Sequence, residues 1–300
     1  MIKGLVSIIV PTHNRAELLE LAIHSVLKQT YKNWEIIIIA DACVDHTSAT
    51  LEKYKGYENI FSFESREPLG GGGARNFALK KARGEFVAFL DDDDEWLPEK
   101  LEKQVEAINS EKYAIIGCNY FSVDQNGSRK ISAHGVYTLK DLHRSNFIGS
   151  FSFALTRSSY LKNISINPDL KACQDWDLWV KILTLSGLDA IVIDNVLVNY
   201  SNDDSRPRLT NHRKNPAYSF IKFYRVIWNS LSGLERLYAL ETLKRIRFAD
   251  RRGAGLVARL SFQLSFLAQR PKHFIAWFYC LMKHPIFYRK MKNVCYHFKK

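Results

Sequence analysis

Nowhere in the 300 residues does an apolar run approach the about 20 residues that a bilayer-crossing helix requires. Cysteine is sparse and dispersed: Cys43, Cys118, Cys173, Cys280 and Cys295 are five, with no two at metal-ligand spacing. An odd, scattered set argues against a disulfide framework and for a reducing compartment. Met1, Ile2, Lys3 and Gly4 run straight into a strand pattern whose apolar core is too short for a secretory leader, which predicts a cytoplasmic protein. Internal repeats and long low-complexity stretches are absent. Acidic residues are missing from one region: residues 251–300 hold eleven of the 43 Lys and Arg and no Asp or Glu, so nearly all of the formal +12 charge belongs there and the rest carries 32 basic against 31 acidic residues.

What is present is an ordinary globular composition, 46% apolar, enough for one large domain or one domain with an appendage. Apolar runs predict strands over 5–10, 35–40, 60–63 and 86–90, the first ending at Pro11 and Thr12 and the second at Asp41. Between them lie a helix with Leu18, Leu19, Ala22 and Val26 at helical spacing and Asn14 as its N-cap, a helix over 47–55, and a glycine loop, 69–73, leading into a helix over 74–82. Strands alternating with helices in this way predict an α/β fold with a mostly parallel sheet. Further strands are predicted over 113–121, 129–131 after the Asn126-Gly127 turn, 151–155 and 190–200, with a helix over 177–186. A polar loop over 202–215 precedes helical segments. The division is a catalytic domain, 1–215, with a nucleotide half (1–110) and an acceptor half (111–215), and a basic helical region, 216–300.

Four consecutive carboxylates, Asp91, Asp92, Asp93 and Asp94, follow the 86–90 strand, where an α/β sheet places its ligands. In an extended segment Asp91 and Asp93 point one way, Asp92 and Asp94 the other. Crowded like charges disfavour one another's ionisation unless a cation or several donors sit among them. Mg²⁺ or Mn²⁺ shared with a phosphate answers that need. The run can instead open a helix ahead of Glu95, Trp96, Leu97 and Pro98, and the two readings are compatible, with Asp94 starting the helix while Asp91 and Asp93 face a metal. The glycine loop is neither a P-loop nor a convincing dinucleotide fingerprint, and reads as readily as a flexible turn into a helix as it does as a phosphate cradle. Trp176 and Trp179 share a helix face, fit for stacking on sugar or for packing.

Pro11-Thr12-His13-Asn14-Arg15, then Asp41 to Asp45, Ala74-Arg75-Asn76, Leu90 to Trp96 and Gln174-Asp175-Trp176-Asp177-Leu178-Trp179 stand in the order seen in family 2 glycosyltransferases. Roughly the first 200 residues resemble the GT-A fold of that family, with similarity to bacterial surface-polysaccharide enzymes of the colanic-acid type. The resemblance implies metal-dependent, inverting transfer of a sugar from a nucleotide diphosphate donor, UDP-linked, to a lipid-linked or growing surface-polysaccharide acceptor. By the same resemblance Pro11, Thr12, Asn14 and Arg15 line the nucleotide crevice, Asp41 accepts a hydrogen bond from the base, and Arg75 is a fixed cation near the nucleotide. Asp92 adjoins the nucleotide sugar, Asp91 contacts ribose or the waters of the metal, and Asp93 binds the metal. Asp175 is the general base, with Gln174 in place of the family's first acid, and Gln174 and Trp176 face the acceptor.

Departures from the pattern are Ala40, where the family often has an acid, and Asn202, Asp203 and Asp204, where it often has a histidine; no third protein ligand is assigned. Asp45 caps the helix near Thr47 or contacts ligand. His13, His134 and His212 are expected in loops or at the surface. Two rivals remain: a Mg²⁺-dependent nucleotidyltransferase, which needs a glycine-rich basic loop where Pro11 to Arg15 stand, and a nucleic-acid binder, disfavoured because acids crowd the cleft while basic charge is confined to the tail. In that tail Leu256, Leu260, Leu264 and Leu267 form a stripe, and an apolar segment including Phe274, Trp277 and Phe278 is flanked by Lys272 and Lys283. Its helices either pack on the catalytic domain or lie in the plane of an anionic membrane, and the second predicts a peripheral enzyme at the inner face of the cell membrane.

Overall fold

The computed structural model describes residues 1–202 other than Lys171. The boundary expected at 215, the loop beyond 202, His212, Cys280, Cys295 and the basic stripe lie outside the described residues.

The elements in order are β1 (Ile2–Thr12), α1 (Ala16–Leu27), β2 (Trp34–Asp41), α2 (Thr47–Glu52), β3 (Ile60–Ser65), α3 (Gly70–Leu79), β4 (Gly84–Phe89), β5 (Glu95–Trp96), α4 (Lys100–Ile108), β6 (Tyr113–Asp124), β7 (Gly127–Ile131), β8 (Gly135–Tyr137), α5 (Leu139–Leu142), β9 (Leu155–Arg157), α6 (Ser158–Leu161), α7 (Gln174–Ser186) and β10 (Asp189–Ser201). One sheet runs β3-β2-β1-β4-β9-β6-β10-β5. Its first four strands are mutually parallel, and β6 and β10 are parallel, but β9 runs antiparallel to both β4 and β6 and joins the two halves. The sheet is therefore mixed rather than mostly parallel throughout. Residues 151–153 form a short 3-10 turn leading into β9, where the sequence predicts continuous strand.

Alternation along β1 sends Ile8 and Val10 to one face and Ile9 to the other, so each face gains its own core. On the first face, Leu19, Ile23 and Val26 of α1 and Leu101, Val105 and Ile108 of α4 pack on the strands. Ala74 and Ala78 of α3 and Leu178, Trp179 and Ile182 of α7 cover the second. Helices on both faces leave the carboxyl ends of β1, β2 and β4 opening on a common crevice. The amino ends are tied by a buried network: Ser7 Oγ donates to Glu35 Oε1 at 2.6 Å, and the Arg83 and Gly84 N–H groups donate to Glu35 Oε1 and Ser7 Oγ, both at 2.8 Å. A methyl group on Gly84 would lie 2.5 Å from the Leu5 carbonyl oxygen, which is why glycine opens β4.

Candidate active site

The crevice begins where β1 ends. Pro11 pairs beside Ile39 of β2, and Thr12, buried at the last strand position, donates from Oγ1 to Asp92 Oδ2 at 2.7 Å. Asn14 does not cap α1 as its residue type predicts. Its backbone is left-handed (φ 54°), and its side-chain oxygen crosses to accept the Val44 N–H at 2.7 Å. The helix start is instead closed by Asp45, whose Oδ2 accepts the Ala16 N–H at 3.1 Å while Oδ1 accepts from Thr47 N–H and Oγ1. One carboxylate thus caps α1 and α2 together. Partial burial raises its pKa, but the bonds from Thr47 and Ala16 outweigh burial and hold it below the usual carboxylate range.

Asp41 is buried at the end of β2, and its two oxygens accept the Leu69 and Gly70 N–H groups at 2.6 and 2.8 Å. That anchor explains the four glycines, which are the first turn of α3 and not a loop. Gly70 has φ 69°, and a methyl on Gly72 would stand 2.9 Å from Gln174 Nε2 and 3.2 Å from the Pro168 Cα. The glycines therefore admit α3 and the start of α7 to close contact.

The acidic run is a turn, closed by Asp94 N–H donating to the Asp91 carbonyl at 3.1 Å, so the strict alternation of an extended segment does not hold. The helix-start reading fails as well, because Glu95 and Trp96 pair with β10 and α4 begins only at Lys100. Arg75, itself buried, pairs through Nη2 with Asp91, gives Nη1 to the Gly71 carbonyl at 3.0 Å and lies 4.1 Å from the centroid of the Phe151 ring. Ser150 Oγ also donates to Asp91, and the Asp91 N–H donates to Ser152 Oγ. Arg15 Nη1 bridges Asp92 Oδ1 at 2.8 Å and Asp93 Oδ2 at 3.1 Å. Burial pushes the Asp92 carboxyl up to about 6 against the opposing Arg15 charge. Asp94, whose Oδ1 accepts the Ser201 N–H, is raised well above the usual range by burial and by the charges of Asp93 and Asp91.

These carboxylates differ in what they can offer a metal. The side chains of Asp91 and Asp93 are 25% and 18% exposed, whereas that of Asp92 is 6% exposed and Asp94 is fully enclosed. Among the described residues no group of three or more His, Cys, Asp or Glu side chains forms a metal cage. The donor set fits a hard ion held by one or two carboxylates, its shell completed by substrate phosphate and water. It does not fit a structural ion held by protein alone.

Asp175 lies in the first turn of α7, which begins at Gln174 and not at Asp177, so Asp175 is inside the helix rather than its cap. Oδ1 accepts the Trp176 N–H at 2.8 Å and Oδ2 accepts from Asn146 Nδ2 at 3.3 Å. Burial pushes its carboxyl up to about 6; the Asp91 charge acts in the same direction, and the Trp176 N–H and the Arg75 charge oppose it. Asp175 therefore sits in the field of the Asp91–Arg75 pair. Gln174 donates to the Leu170 carbonyl and covers Gly72. Trp176 and Trp179 are core residues, their Nε1 groups donating to the Leu142 and Gly149 carbonyls, so packing replaces the acceptor contact expected of Trp176. His13 lies at the surface against the Asp41 carbonyl, and His134 is largely exposed, 3.7 Å from Asp194.

Sequence reasoning missed Asn146, Ser150 and Ser152. Asn146 is clamped by Gly149, whose N–H reaches Oδ1 at 3.0 Å and whose carbonyl accepts Nδ2 at 3.1 Å, and this aims the amide at Asp175. The only sequence signal is an Asn-x-x-Gly spacing around Phe147 and Ile148, too common to single out.

The sequence profile described as "Glycosyl transferase family 2" matches residues 7–165. The Escherichia coli UDP-Glc:alpha-D-GlcNAc-diphosphoundecaprenol beta-1,3-glucosyltransferase WfgD is 35% identical over 188 residues, 62% of this chain and 73% of that protein. The putative colanic acid biosynthesis glycosyl transferase WcaA of Escherichia coli K12 is 29% identical over 255 residues, 81% of this chain and 88% of that protein. Among solved structures, S. aureus TarS 1–349 in complex with UDP-GlcNAc superposes with a TM-score of 0.66 at 21% identity, over 87% of this chain and 77% of that one. The mannosyltransferase PcManGT from Pyrobaculum calidifontis, in complex with GDP-Man and Mn²⁺, gives a TM-score of 0.59 at 19% identity, over 90% and 82%. The α/β fold is that of GT-A glycosyltransferases.

Proposed function

The chain belongs to glycosyl transferase family 2, and we propose that it is an inverting, metal-dependent transferase that moves a sugar from a nucleotide diphosphate donor, UDP-linked, to a lipid-linked or growing surface-polysaccharide acceptor. The observation that carries the reading is the meeting of three charges at the open end of the sheet: Asp91 paired with Arg75, and Asp175 within the field of both. WfgD is named as a glucosyltransferase acting on a diphosphoundecaprenol-linked sugar and WcaA as a putative colanic acid biosynthesis glycosyl transferase, and two structural neighbours hold nucleotide sugars, one of them with Mn²⁺.

In this reading Asp93, with Asp91, holds Mg²⁺ or Mn²⁺, which when bound supplies positive charge against the departing diphosphate. Arg75, fixed by Gly71, Asp91 and the Phe151 ring, presents a second cation beside the same phosphates. Pro11, Thr12 and Asn14 border the nucleoside. Asp41 has lone pairs left after its two backbone contacts with which to accept from the base. Asp175 takes the proton of the acceptor hydroxyl as its oxygen bonds to the anomeric carbon and the bond to the diphosphate oxygen breaks, which inverts that centre. Asn146 orients the carboxylate, and Gln174, the residue before it in α7, is assigned to the acceptor side.

Nucleotide sugars screened for protection against thermal unfolding test the donor. A UDP-sugar is expected to raise Tm only with Mg²⁺ or Mn²⁺ present, and protection by a nucleoside triphosphate in its place would favour nucleotidyl transfer. No helix among the described residues is long and apolar enough to cross a membrane. Membrane attachment is assigned to the basic tail from its sequence, with no role for nucleic acid. Deleting residues 271–300 is expected to release the protein from anionic vesicles in a flotation assay, and undiminished flotation would contradict the anchor.

A further inference from the structure

We infer that Arg15 occupies the metal's place on Asp93 when donor is absent, and that metal and donor diphosphate bind cooperatively because each helps to move it. This rests on the function proposed above.

The geometry is specific. A single guanidinium nitrogen, Nη1, reaches Asp92 Oδ1 at 2.8 Å and Asp93 Oδ2 at 3.1 Å. Asp92 is enclosed and also receives Thr12 Oγ1, so it belongs to the protein interior and serves as Arg15's fixed partner. Asp93 is more open, and a metal held through its Oδ2 would meet the Arg15 guanidinium there. An ion with near-octahedral demands at about 2.0–2.2 Å from oxygen cannot share that lone-pair region with a guanidinium hydrogen bond 3.1 Å long. Metal entry at that oxygen requires Arg15 to give up Asp93; Asp92 stays beside it, but the lost ion pair lowers metal affinity unless a further anion takes the place of Asp93.

A diphosphate supplies that anion. Arg15 directly precedes α1 at the end of β1, on the rim of the crevice that would receive the nucleotide, and guanidinium forks suit phosphate as well as carboxylate. Once the diphosphate is present, the displaced charge is re-paired and the metal gains phosphate oxygens as ligands. Each ligand then raises the affinity of the other by the same factor, as linkage requires. Arg75 does not share this role, because it is buried against Phe151 and held by the Gly71 carbonyl.

The test is a Mn²⁺ titration of the full chain followed by electron paramagnetic resonance, with and without saturating UDP, on wild type and on Arg15→Gln. UDP is expected to tighten Mn²⁺ binding to wild type by about tenfold or more, within the usual range of coupling between sites. Arg15→Gln without UDP is expected to bind Mn²⁺ several-fold tighter than wild type, and to be tightened by UDP less than wild type is, keeping only the part that phosphate ligation itself supplies. Equal or weaker Mn²⁺ binding by nucleotide-free Arg15→Gln would overturn the inference while leaving the transferase reading intact. Absence of Mn²⁺ binding by wild type even with UDP would overturn the metal-dependent reading, and this inference with it. Should Arg15→Gln not fold, a crystal of wild type with UDP and Mn²⁺ decides: Arg15 is expected off Asp93, and a guanidinium still on Asp93 beside a bound ion would refute the exchange.

Discussion

Replacing Asp175 with Asn is expected to lower transfer by about 10²- to 10⁴-fold, the usual worth of a positioned general base, while UDP-sugar binding persists. The amide keeps the size of the carboxylate and can still meet the Trp176 N–H, so lost proton transfer, not lost structure, accounts for the effect. Substantial transfer by the variant would remove Asp175 from the mechanism. The pH dependence carries a second reading of the same group. Burial pushes its carboxyl up to about 6, and the base works only when ionised, so kcat/KM is expected to rise as pH increases through about 6 and to level above it. Asn146 donates to Oδ2 and so favours the ionised form. Asn146→Leu is expected to move that limb to higher pH, and an unmoved limb would reduce Asn146 to a packing role.

Asp93→Ala is expected to cut turnover by about 10²- to 10³-fold, comparable with removing one main electrostatic stabiliser of a transition state, and to weaken UDP binding much less. The asymmetry follows from where charge would grow: a leaving diphosphate gains negative charge as its bond to the sugar breaks, so an ion on Asp93 would act chiefly after binding. Chelating the metal from wild type is expected to give a loss of the same order, restored by Mn²⁺ or Mg²⁺. Near-wild-type turnover by Asp93→Ala with metal present would show that the ion, if needed, sits elsewhere.

Much of this arrangement is legible in the sequence. The β1, β2 and β4 runs are predominantly apolar stretches that stop at Thr12, Asp41 and the Asp91 turn, and buried parallel strands are the elements such runs describe best. The motif order then brought Arg75, Asp91 and Asp175 to one crevice, as the structure has them.

Other parts were hidden for identifiable reasons. Glycine's poor helix propensity masks the first turn of α3, whose start is anchored by Asp41, 28 residues earlier in sequence. Asn14 has the residue type of an N-cap, yet tertiary contact with Val44 takes its side chain, and Asp45 performs the capping from the next loop. β9 is three residues long and antiparallel, too short for its period to register, although it joins the two halves of the sheet. Asn146 is marked only by a common Asn-x-x-Gly spacing, because the partner that matters lies 29 residues away on another element.

The most direct test of the account is a crystal structure of the full chain with Mn²⁺ and an unreactive UDP-sugar. The ion is expected on Asp93 and Asp91, bridging the diphosphate, with the Asp175 carboxylate facing the side of the anomeric carbon opposite the departing phosphate. A diphosphate bound without an ion at Asp93, or an Asp175 turned away from that side, would contradict it.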